Sequence, residues 1–346
     1  MSNLKILMTN SRDANLLAPQ YYKYLSQKGI KIDSYYQSDY LEKLTIPQRI
    51  INRLFPSLFY LKINKNLLEQ VDRFQPDIVW IFKGMETFPS TLEKIKKKGI
   101  KLVNYNPDHP FDYISKSSGN NNVLRSISLF DLHICYSKKI AKDLEQKFPG
   151  TQTAYLPFGY AFSDEVYESI IEIREVRKTC FVGYGDKERA DFVRYLIKND
   201  VEVDVYGQKW NTFFPTPVKG LKVFPAVYGT DYYSMLRKYR VQLNIMRSHN
   251  KDSHNMRSFE LPAVGGIMLV EDTSEHRDFF EPNQEIFLFS SKEDAIKKIN
   301  SILNLSEEEA NRIRLNARQR SVKSNYSYEG RTNEFLNIIQ SFFNIN

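Results

Sequence analysis

The sequence predicts an α/β protein that contains two parallel-sheet domains in one chain. Three observations support this prediction. The chain has 346 residues, which is more than one ordinary domain needs. Short apolar runs alternate with helix-like stretches, as strands alternate with crossover helices in a parallel sheet. This alternation stops in the acidic stretch 161–175 and then starts again.

The first half of the chain contains six apolar runs bounded by turn residues. These runs predict the strands "LKILMT" (4–9), "IKIDSYY" (30–36), "PDIVWIFKG" (76–84), "IKLVNYN" (100–106), "DLHICYS" (131–137) and "QTAYLPFG" (152–159). Between the first two runs, "LLAPQYYKYLSQKG" predicts a helix that ends at Gly29, since glycine readily adopts the conformation that closes a helix.

The second half repeats the pattern with five further runs. They predict the strands "KTCFVGYG" (178–185), "VEVDVYG" (201–207), "GLKVFPA" (220–226), "VQLNIM" (241–246) and "GIMLVED" (266–272). The tail is helical by its apolar period. We therefore predict two Rossmann-like domains, at 1–162 and 177–325, joined by a linker at 163–176 and followed by a C-terminal helix at 326–346.

The composition is that of a folded globular protein, with 42% hydrophobic and 26% charged residues. No run of about 18 apolar residues occurs, so no membrane-spanning helix is predicted. The two cysteines, Cys135 and Cys180, are far apart and show no metal-binding spacing. Buried thiols in a reducing cytoplasm are the favoured interpretation.

The charge is unevenly distributed. Residues 1–170 carry 23 Lys+Arg against 17 Asp+Glu, an excess of +6, whereas residues 171–346 carry 26 against 24, an excess of +2. A basic half suits lipid head groups, nucleic acid or a phosphorylated substrate, and solubility explains it equally well. The stretch 44–68, "LTIPQRIINRLFPSLFYLKINKNLL", is typical either of an amphipathic element at a membrane or of core helices with a basic outer face.

Residues that follow strands are the first candidates for a site, because ligands bind outside the carboxyl ends of parallel strands. In "VGYGDKER", Gly183 permits close backbone approach, and Lys187 and Arg189 open a helix. That combination suits a diphosphate, and a surface turn with two solvated cations is the alternative. Tyr206, at the end of the next run, belongs either to a base pocket or to the core.

The segment 251–266, "KDSHNMRSFELPAVGG", places one carboxylate ahead of a buried run. Proline is tolerated only near a helix start, so Pro262 predicts a helix that begins around Arg257–Ser258, with Ser258 as its N-cap. Glu260 then lies in the first turn. It either stabilises the helix dipole or, where it is buried, accepts hydrogen bonds from both hydroxyls of a ribose.

The turn "NPDHPF" is the candidate in the first half of the chain. Asp108 and His109 follow a predicted strand, and either is suited to deprotonate an acceptor hydroxyl. An ordinary turn rich in proline is the alternative. Four other histidines have no metal-like spacing and receive no role: His133, His249, His254 and His276.

Asp252 and Glu260 are separated by seven residues, and many GT-B glycosyltransferases carry E-x7-E at this place. The segment "LNIMRSHNKDSHNMRSFELPAVGGIMLVEDTSEHRDFFEPNQEIFLFSSKEDAIKKI" resembles the CgeB-like glycosyltransferases. "NYNPDHP", "YLPFG" and "FVGYGDKER" extend the resemblance over most of the chain. Asn283 stands where the family pattern has a glycine after "FEP".

The resemblance implies a GT-B fold, in which two Rossmann-like domains face each other across a cleft and C-terminal helices cross back to the first domain. It implies that Glu260 holds the nucleotide ribose and that Asp252 faces the transferred sugar. Asn255 and Arg257 would lie by the diphosphate or the sugar. The two cations of "VGYGDKER" would neutralise the leaving diphosphate, so we expect no metal and no cofactor.

We therefore predict a glycosyltransferase that moves a sugar from a UDP-, dTDP- or GDP-sugar to a hydroxyl of a glycan or lipid-linked saccharide, as in cell-surface polysaccharide synthesis. We expect it in the cytoplasm, with the inner membrane face as an option. The alternatives are a transferase that acts on nucleic acid and a non-catalytic protein that binds sugar nucleotides or glycans. A nicotinamide-dependent oxidoreductase is disfavoured, because the glycine fingerprint is incomplete.

Overall fold

The computed structural model describes residues 4–13, 16–112, 118–247 and 252–344. The chain forms two compact units. Unit 1 contains Met1–Pro157 and Tyr328–Asn346, and unit 2 contains Phe158–Ser327. The chain therefore leaves unit 1 once and returns to it for its last helix.

Unit 1 is a six-stranded parallel sheet with strand order β2-β1-β3-β4-β5-β6. Its strands are β1 (Lys5–Asn10), β2 (Lys31–Tyr36), β3 (Ile78–Phe82), β4 (Lys101–Asn106), β5 (Leu132–Cys135) and β6 (Thr153–Tyr155). Its helices are α1 (Leu17–Gln27), α2 (Ser38–Glu42), α3 (Ile46–Leu54), α4 (Pro56–Phe74), α5 (Pro89–Lys96), α6 (Asn121–Ser126), α7 (Lys138–Lys147) and, at the end of the chain, α16 (Tyr328–Phe343), with a 3-10 turn at Ile127–Leu129.

The core of unit 1 lies on both faces of the sheet, as expected for parallel strands with near-continuous apolar runs. On one face, Leu7, Val79 and Leu67 belong to a buried cluster that includes the inner side of α4. On the other face, Trp80 stacks on Phe335 of the last helix, with ring centroids 3.7 Å apart. Burial of these large rings fixes α16 to the sheet of unit 1.

Unit 2 is a second six-stranded parallel sheet, with strand order β12-β11-β10-β7-β8-β9. Its strands are β7 (Val176–Val182), β8 (Val203–Tyr206), β9 (Leu221–Phe224), β10 (Tyr239–Asn244), β11 (Met268–Glu271) and β12 (Phe287–Phe289). Its helices are α8 (Asp164–Ile170), α9 (Lys187–Lys198), α10 (Trp210–Phe213), α11 (Gly229–Lys238), α12 (Arg257–Ala263), α13 (Ser274–Phe279), α14 (Lys292–Leu303) and α15 (Glu307–Lys323).

A buried ionic cluster ties unit 2 together at the amino end of its sheet. Arg240, which has no exposed surface, donates two hydrogen bonds to the carboxylate of Glu175, at 2.8 and 2.6 Å. Arg314 of α15 donates to the same carboxylate at 2.8 Å. These charge-assisted bonds hold the pKa of Glu175 below its usual range, against the effect of its burial. The long helix α15 is thereby fixed to the sheet.

The two parallel six-stranded sheets confirm the predicted α/β class. Eleven of the twelve strands match predicted runs, and β12 is a strand that the sequence analysis did not predict. The stretch 163–176, for which we predict a linker, contains α8 and lies in unit 2. Within the described ranges no helix is both long and apolar enough to cross a membrane. Cys135 and Cys180 are buried free thiols.

Candidate functional site

The strand order of unit 2 defines a crevice between β7 and β10. These strands are neighbours, and the chain goes from β7 to β8 and β9 on one side and from β10 to β11 and β12 on the other. Crossovers that leave in opposite directions open a gap outside the carboxyl ends of such a pair, which is where open parallel sheets bind ligands. The turn after β7 and the segment from β10 to α12 therefore form the candidate site.

Gly183, directly after β7, packs against the guanidinium of Arg257. A Cβ atom at this position would lie 2.7 Å from Nη2 of Arg257. The backbone of the turn is held by Tyr206, whose carbonyl accepts from the Gly183 N–H at 2.7 Å, and by the Trp210 indole, which donates to the Gly183 carbonyl at 2.9 Å. A side chain at this position would displace the Arg257 guanidinium, and glycine leaves room for it against the turn.

Arg189 lies in the first turn of α9 and is 5% exposed. Its guanidinium donates to the carbonyl of Tyr184 at 3.0 Å and to that of Ile245, just beyond β10, at 3.3 Å. It therefore bridges the two strand ends that define the crevice. Burial and then the charge of Arg257 lower the pKa of Arg189 to about 9. An anion bound here would relieve that repulsion.

Arg257, the first residue of α12, is the second cation of the site. Its guanidinium lies over the Phe181 ring at 5.5 Å, and Arg189 lies over the same ring at 5.1 Å. It forms no ion pair with any described carboxylate, and its Nε is buried without a hydrogen-bond partner among the described residues. A buried guanidinium donor without a partner is costly unless a ligand supplies the acceptor.

Glu260 lies one turn further along α12 and is half-buried. Its Oε2 accepts a 2.7 Å hydrogen bond from the hydroxyl of Tyr232 on α11. Burial raises the pKa of Glu260, and the Tyr232 hydrogen bond and the charge of Arg257 oppose that rise. The carboxylate is thus oriented by a neighbour and still has lone pairs for further donors.

The N-cap residue of α12 is Met256, so the prediction of Ser258 as the N-cap is wrong, and the side chain of Asn255 binds the first turn. Asn255 Oδ1 accepts from the N–H of Ser258 at 3.2 Å, whereas Ser258 lies inside the helix. Asn255 also pairs with the side-chain amide of Asn244, the last residue of β10, through bonds of 2.8 and 3.2 Å. Amide side chains compete well for free N–H groups at helix starts, and here one of them also ties α12 to the sheet.

Behind α12 lies a network of buried polar side chains. Ser253 donates to Glu275 at 2.9 Å, and His254 Nδ1 lies 2.6 Å from the same carboxylate oxygen. The N–H of Phe158 donates to His254 Nε2 at 3.3 Å, so Nδ1 carries the proton that faces Glu275. Since His254 and Glu275 are both essentially inaccessible, the pair anchors the segment that leads to α12.

A second buried histidine continues this network. His276 Nε2 is 2.9 Å from the hydroxyl of Ser258, and its Nδ1 is 2.7 Å from the hydroxyl of Thr273. Thr273 in turn donates to the carbonyl of Ser253 at 3.1 Å. Burial lowers the pKa of His276 to about 3, so the ring is neutral and accepts from Ser258. These hydrogen bonds fix α12 to α13.

Three other predicted donor-site residues have different surroundings. Lys187 is exposed and pairs with Asp191 at 2.6 Å along the outer face of α9. Tyr206 is buried, bonded to the hydroxyl of Tyr239 at 3.0 Å and stacked on Phe224. Asp252 is exposed, has a left-handed backbone with φ of 60°, and forms no ion pair with a described residue. None of the three joins Arg189, Arg257 and Glu260 through a described contact.

The candidates of unit 1 lie at the carboxyl end of β4. Asp108 forms an ion pair of 2.6 Å with Lys83, which follows β3. His109 is buried, and its Nδ1 accepts from the N–H of Asp112 at 3.0 Å. Its Nε2 lies 3.6 Å from Asp143, and burial lowers its pKa. Asp108 is therefore the more accessible base of the two.

The structure adds residues to the site that the sequence analysis left without a role. They are Asn244, Tyr232, Ser253, His254, Glu275 and His276. No spacing signal marks them, because they lie on α11, on β10, in the segment before α12 and on α13. Asn244 is the exception, since it ends an apolar strand and a polar residue there faces the crevice. His249 lies outside the described residues.

In the described part of the chain, no group of three or more His, Cys, Asp or Glu side chains has an arrangement that could hold a metal ion. The positive charge near Gly183 comes instead from Arg189, Arg257 and Arg247, whose Nε donates to Asp186 at 3.1 Å. The site offers guanidinium donors, one oriented carboxylate and a glycine turn, which together suit an anionic ligand with vicinal hydroxyls.

Comparison with known proteins agrees with this arrangement. Residues 188–337 match a family model described as "Glycosyl transferase-like". No curated protein matches the chain. The whole chain is similar in structure to α,α-trehalose 6-phosphate synthase of Burkholderia multivorans, with TM-score 0.64, 12% identity and coverage of 99% of both chains.

Two further solved structures are similar over nearly their full lengths. One is a putative UDP-N-acetylglucosamine 2-epimerase of Listeria monocytogenes, with TM-score 0.59, 14% identity and coverage of 99% of this chain and 98% of the other. The other is Anabaena HepE in complex with UDP and glucose, with TM-score 0.58, 12% identity and coverage of 98% and 100%. At these identities the similarity concerns the fold, and the chain has the two-sheet architecture of GT-B proteins.

Proposed function

We propose that the protein is a glycosyltransferase that binds a nucleotide-sugar at the carboxyl edge of the unit 2 sheet. The observation that carries this proposal is the guanidinium of Arg257. It lies against the Gly183 turn with no described carboxylate partner, and it is on the same helix as Glu260. A diphosphate is bound by cationic donors and its ribose by a hydrogen-bond acceptor, and this helix carries one of each.

The chemistry follows from where charge develops. When the bond between the sugar and the diphosphate breaks, negative charge grows on the diphosphate oxygen. Arg189 and Arg257 are already held in place by the Phe181 ring and by backbone carbonyls, so they stabilise that charge without reorganising. With two guanidiniums in this role, we expect transfer without a metal. Glu260 accepts hydrogen bonds from the ribose hydroxyls.

The acceptor belongs to unit 1 in this proposal. We expect a hydroxyl of a glycan or lipid-linked saccharide, at an anionic membrane surface, as in cell-surface polysaccharide synthesis. Asp108 is the candidate base, because its carboxylate is only partly covered by Lys83. The Anabaena structure contains UDP and glucose, which favours a UDP-sugar as the donor to test first.

A second candidate is a protein that binds or rearranges a sugar nucleotide without transferring it. One observation favours it: Asp252, which corresponds to the first acid of the motif, is exposed and forms no ion pair with a described residue. The Listeria structure with a similar fold is described as a putative UDP-N-acetylglucosamine 2-epimerase, a reaction of this second kind. Fold alone does not decide between these reactions.

The test of the donor site is thermal unfolding with UDP, GDP, dTDP, CDP, ADP and NAD. A ligand at a hundredfold excess over its dissociation constant adds about 2.7 kcal/mol of stability. We expect one nucleoside diphosphate to stabilise the wild type and to lose its effect in Glu260→Gln. Glu293→Gln is the matched control, because Glu293 is also in the first turn of its helix and also accepts from a tyrosine, Tyr195, at 2.6 Å.

The second step separates transfer from the alternatives. The sugar-nucleotide of the stabilising base is incubated with glycan and lipid-linked acceptors, and the products are identified by mass. Acceptor-dependent release of the nucleoside diphosphate supports transfer. Epimerised donor, or binding without turnover for every acceptor, contradicts it. Stabilisation by NAD alone contradicts the donor site itself.

A further inference from the structure

Seven large apolar side chains are exposed along two consecutive helices of unit 1. Their exposed fractions lie between 44% and 77%. We call them the α3–α4 surface: Ile46, Ile50, Ile51, Leu54, Phe55, Leu58 and Leu61. Half of the fourteen exposed large hydrophobic residues in the described chain thus lie within 46–61. Single exposed apolar residues are ordinary, whereas a contiguous group marks an interaction site.

The spacing of these residues places them on continuous stripes. Ile46, Ile50 and Leu54 follow each other at four-residue intervals on α3, and Leu58 and Leu61 are three apart on α4. The opposite side of α4 is already buried in the core of unit 1, through residues such as Ile63, Leu67 and Val71. Packing against the unit's own sheet therefore does not account for the outer stripe.

The charge around the α3–α4 surface is mainly positive. Residues 43–68 contain five Lys or Arg and no Asp or Glu, and the carboxylates that flank this stretch are Glu42 and Glu69, of which Glu69 lies 3.7 Å from Lys65. Lys43, Arg49, Lys62 and Lys65 are all exposed. Protein interfaces are depleted in lysine, whereas an apolar stripe with a mainly cationic border matches a bilayer with anionic head groups.

The surface is held in a defined shape. Thr45 and Gln48 form a capping box at the start of α3. The Arg49 guanidinium donates to the carbonyls of Leu44 and Glu42, both at 3.0 Å. The other end is fixed by the buried side of α4. Because the helices are formed beforehand, insertion does not require the cost of folding a disordered segment.

We propose that the α3–α4 surface docks unit 1 on an anionic lipid bilayer. The apolar side chains enter the boundary between head groups and acyl chains, and the cations around them meet lipid phosphates. This identification rests on exposure and charge and does not depend on the transferase reaction. When membrane docking is combined with the proposed transferase function, docking brings unit 1 to the bilayer in which a lipid-linked acceptor resides.

The test is binding of the full-length protein to vesicles, without donor or acceptor. Vesicles of phosphatidylcholine alone are compared with an equal mixture of phosphatidylcholine and phosphatidylglycerol. We expect binding to the mixture, weakened by added salt, and about tenfold or greater loss of affinity in Ile50→Ser/Leu54→Ser/Leu58→Ser. The control is Leu315→Ser/Val322→Ser, two exposed apolar residues of α15 in unit 2, which should bind as the wild type does.

Two results would overturn the proposal. One is wild-type protein that binds neither vesicle, since the surface then does not dock on lipid. The other is a wild-type dimer in solution that the triple serine variant converts to monomer while vesicle binding is unchanged, which would assign the surface to a second copy of the chain. Lys62→Gln/Lys65→Gln completes the series and should reduce the preference for phosphatidylglycerol by several-fold.

Discussion

The two units have the same kind of parallel sheet, but they differ in whether carboxylates neutralise the cations that follow their strands. In unit 1, Lys83, which follows β3, is neutralised by the carboxylate of Asp108 at 2.6 Å. In unit 2, Arg257 forms no ion pair in the described chain, and Arg189 and Arg247 share a single carboxylate, that of Asp186, at 3.5 and 3.1 Å. Unit 2 therefore carries uncompensated positive charge at its strand ends.

This difference shows how a binding edge is distinguished from a structural one. A parallel sheet always presents polar residues at its carboxyl edge. A binding site is marked by polar groups that raise the free energy of the ligand-free protein because they lack partners, and for which a ligand supplies the missing hydrogen bond or opposite charge. Unit 2 holds such groups rigidly over a buried network, and unit 1 instead leaves apolar side chains exposed on α3 and α4.

The largest effect is expected from Arg257→Ala. Loss of a guanidinium held at the developing charge should lower the transfer rate by about 10²–10³-fold. The comparison is Lys187→Ala, which removes an exposed cation paired with Asp191 near the start of α9. That change should alter the rate by less than about twofold, since exposed pairs contribute little. Steady-state kinetics of both variants measures the difference, and equal losses would mean that net charge rather than placement matters.

Much of the fold could be predicted from the sequence, because short-range patterns specify parallel strands. Apolar runs bounded by turn residues predicted all strands except β12, whose three buried residues are too short a signal. Pro262 predicted the start of α12 at Arg257. The cap was assigned to Ser258 because serine is a frequent N-cap, but burial against His276 places that hydroxyl inside the helix.

The site could be predicted only in part. Arg189, Arg257 and Gly183 come together because two strand ends are adjacent, which the strand-end rule anticipates. The partners that hold them are a matter of tertiary packing. His254 and Glu275 are 21 residues apart and meet only because α13 folds under α12. No local pattern reports that meeting.

The next largest effect is on stability, from Glu275→Ala. This change leaves the His254 Nδ1–H and the Ser253 hydroxyl buried without their acceptor, so we expect a loss of about 2–4 kcal/mol of unfolding free energy. Asp143→Ala in unit 1 is the matched case, because it also removes a carboxylate beside a histidine, but at a half-exposed place. We expect less than about 1 kcal/mol there.

Urea unfolding measures the loss of unfolding free energy in both variants. Native-state hydrogen exchange then assigns each loss to its unit. The expected pattern is faster exchange confined to unit 2 in Glu275→Ala and little change in Asp143→Ala. Similar losses in the two variants would remove the contrast between a buried polar support and an exposed one.

A smaller effect should appear in the pH dependence of donor binding. Burial raises the pKa of Glu260, so its carboxylate takes up a proton at a higher pH than an ordinary glutamate does. A ribose needs the ionised form as acceptor, and donor affinity should therefore fall by about tenfold as the pH drops through this pKa. Titration calorimetry of the wild type measures this fall. Glu260→Gln should bind weakly with no such dependence.

The stability of the ligand-free protein should change with pH in the opposite direction to donor affinity. Because the folded-state pKa of Glu260 is raised, the folded state binds the proton more tightly than the unfolded state does, and this residue's contribution to stability rises as the pH falls through that pKa. Replacement by glutamine should thus preserve or raise the unfolding temperature at neutral pH while it weakens binding. A variant that loses stability and binding together would indicate a structural role instead.

The smallest effects concern two turn residues with left-handed backbones, Gln75 in unit 1 with φ of 51° and Asn283 in unit 2 with φ of 63°. Asparagine adopts this conformation at low cost, so Asn283→Gly should change stability by less than about 0.5 kcal/mol, although the CgeB-like pattern that this segment resembles has glycine there. Glutamine tolerates it less well, and Gln75 closes α4. Gln75→Gly should therefore stabilise unit 1 by about 0.5–1 kcal/mol. Thermal unfolding measures both changes. A larger gain at Asn283 would show that the turn before β12 is strained, and that the rigid support of the unit 2 site does not extend to this end of its sheet.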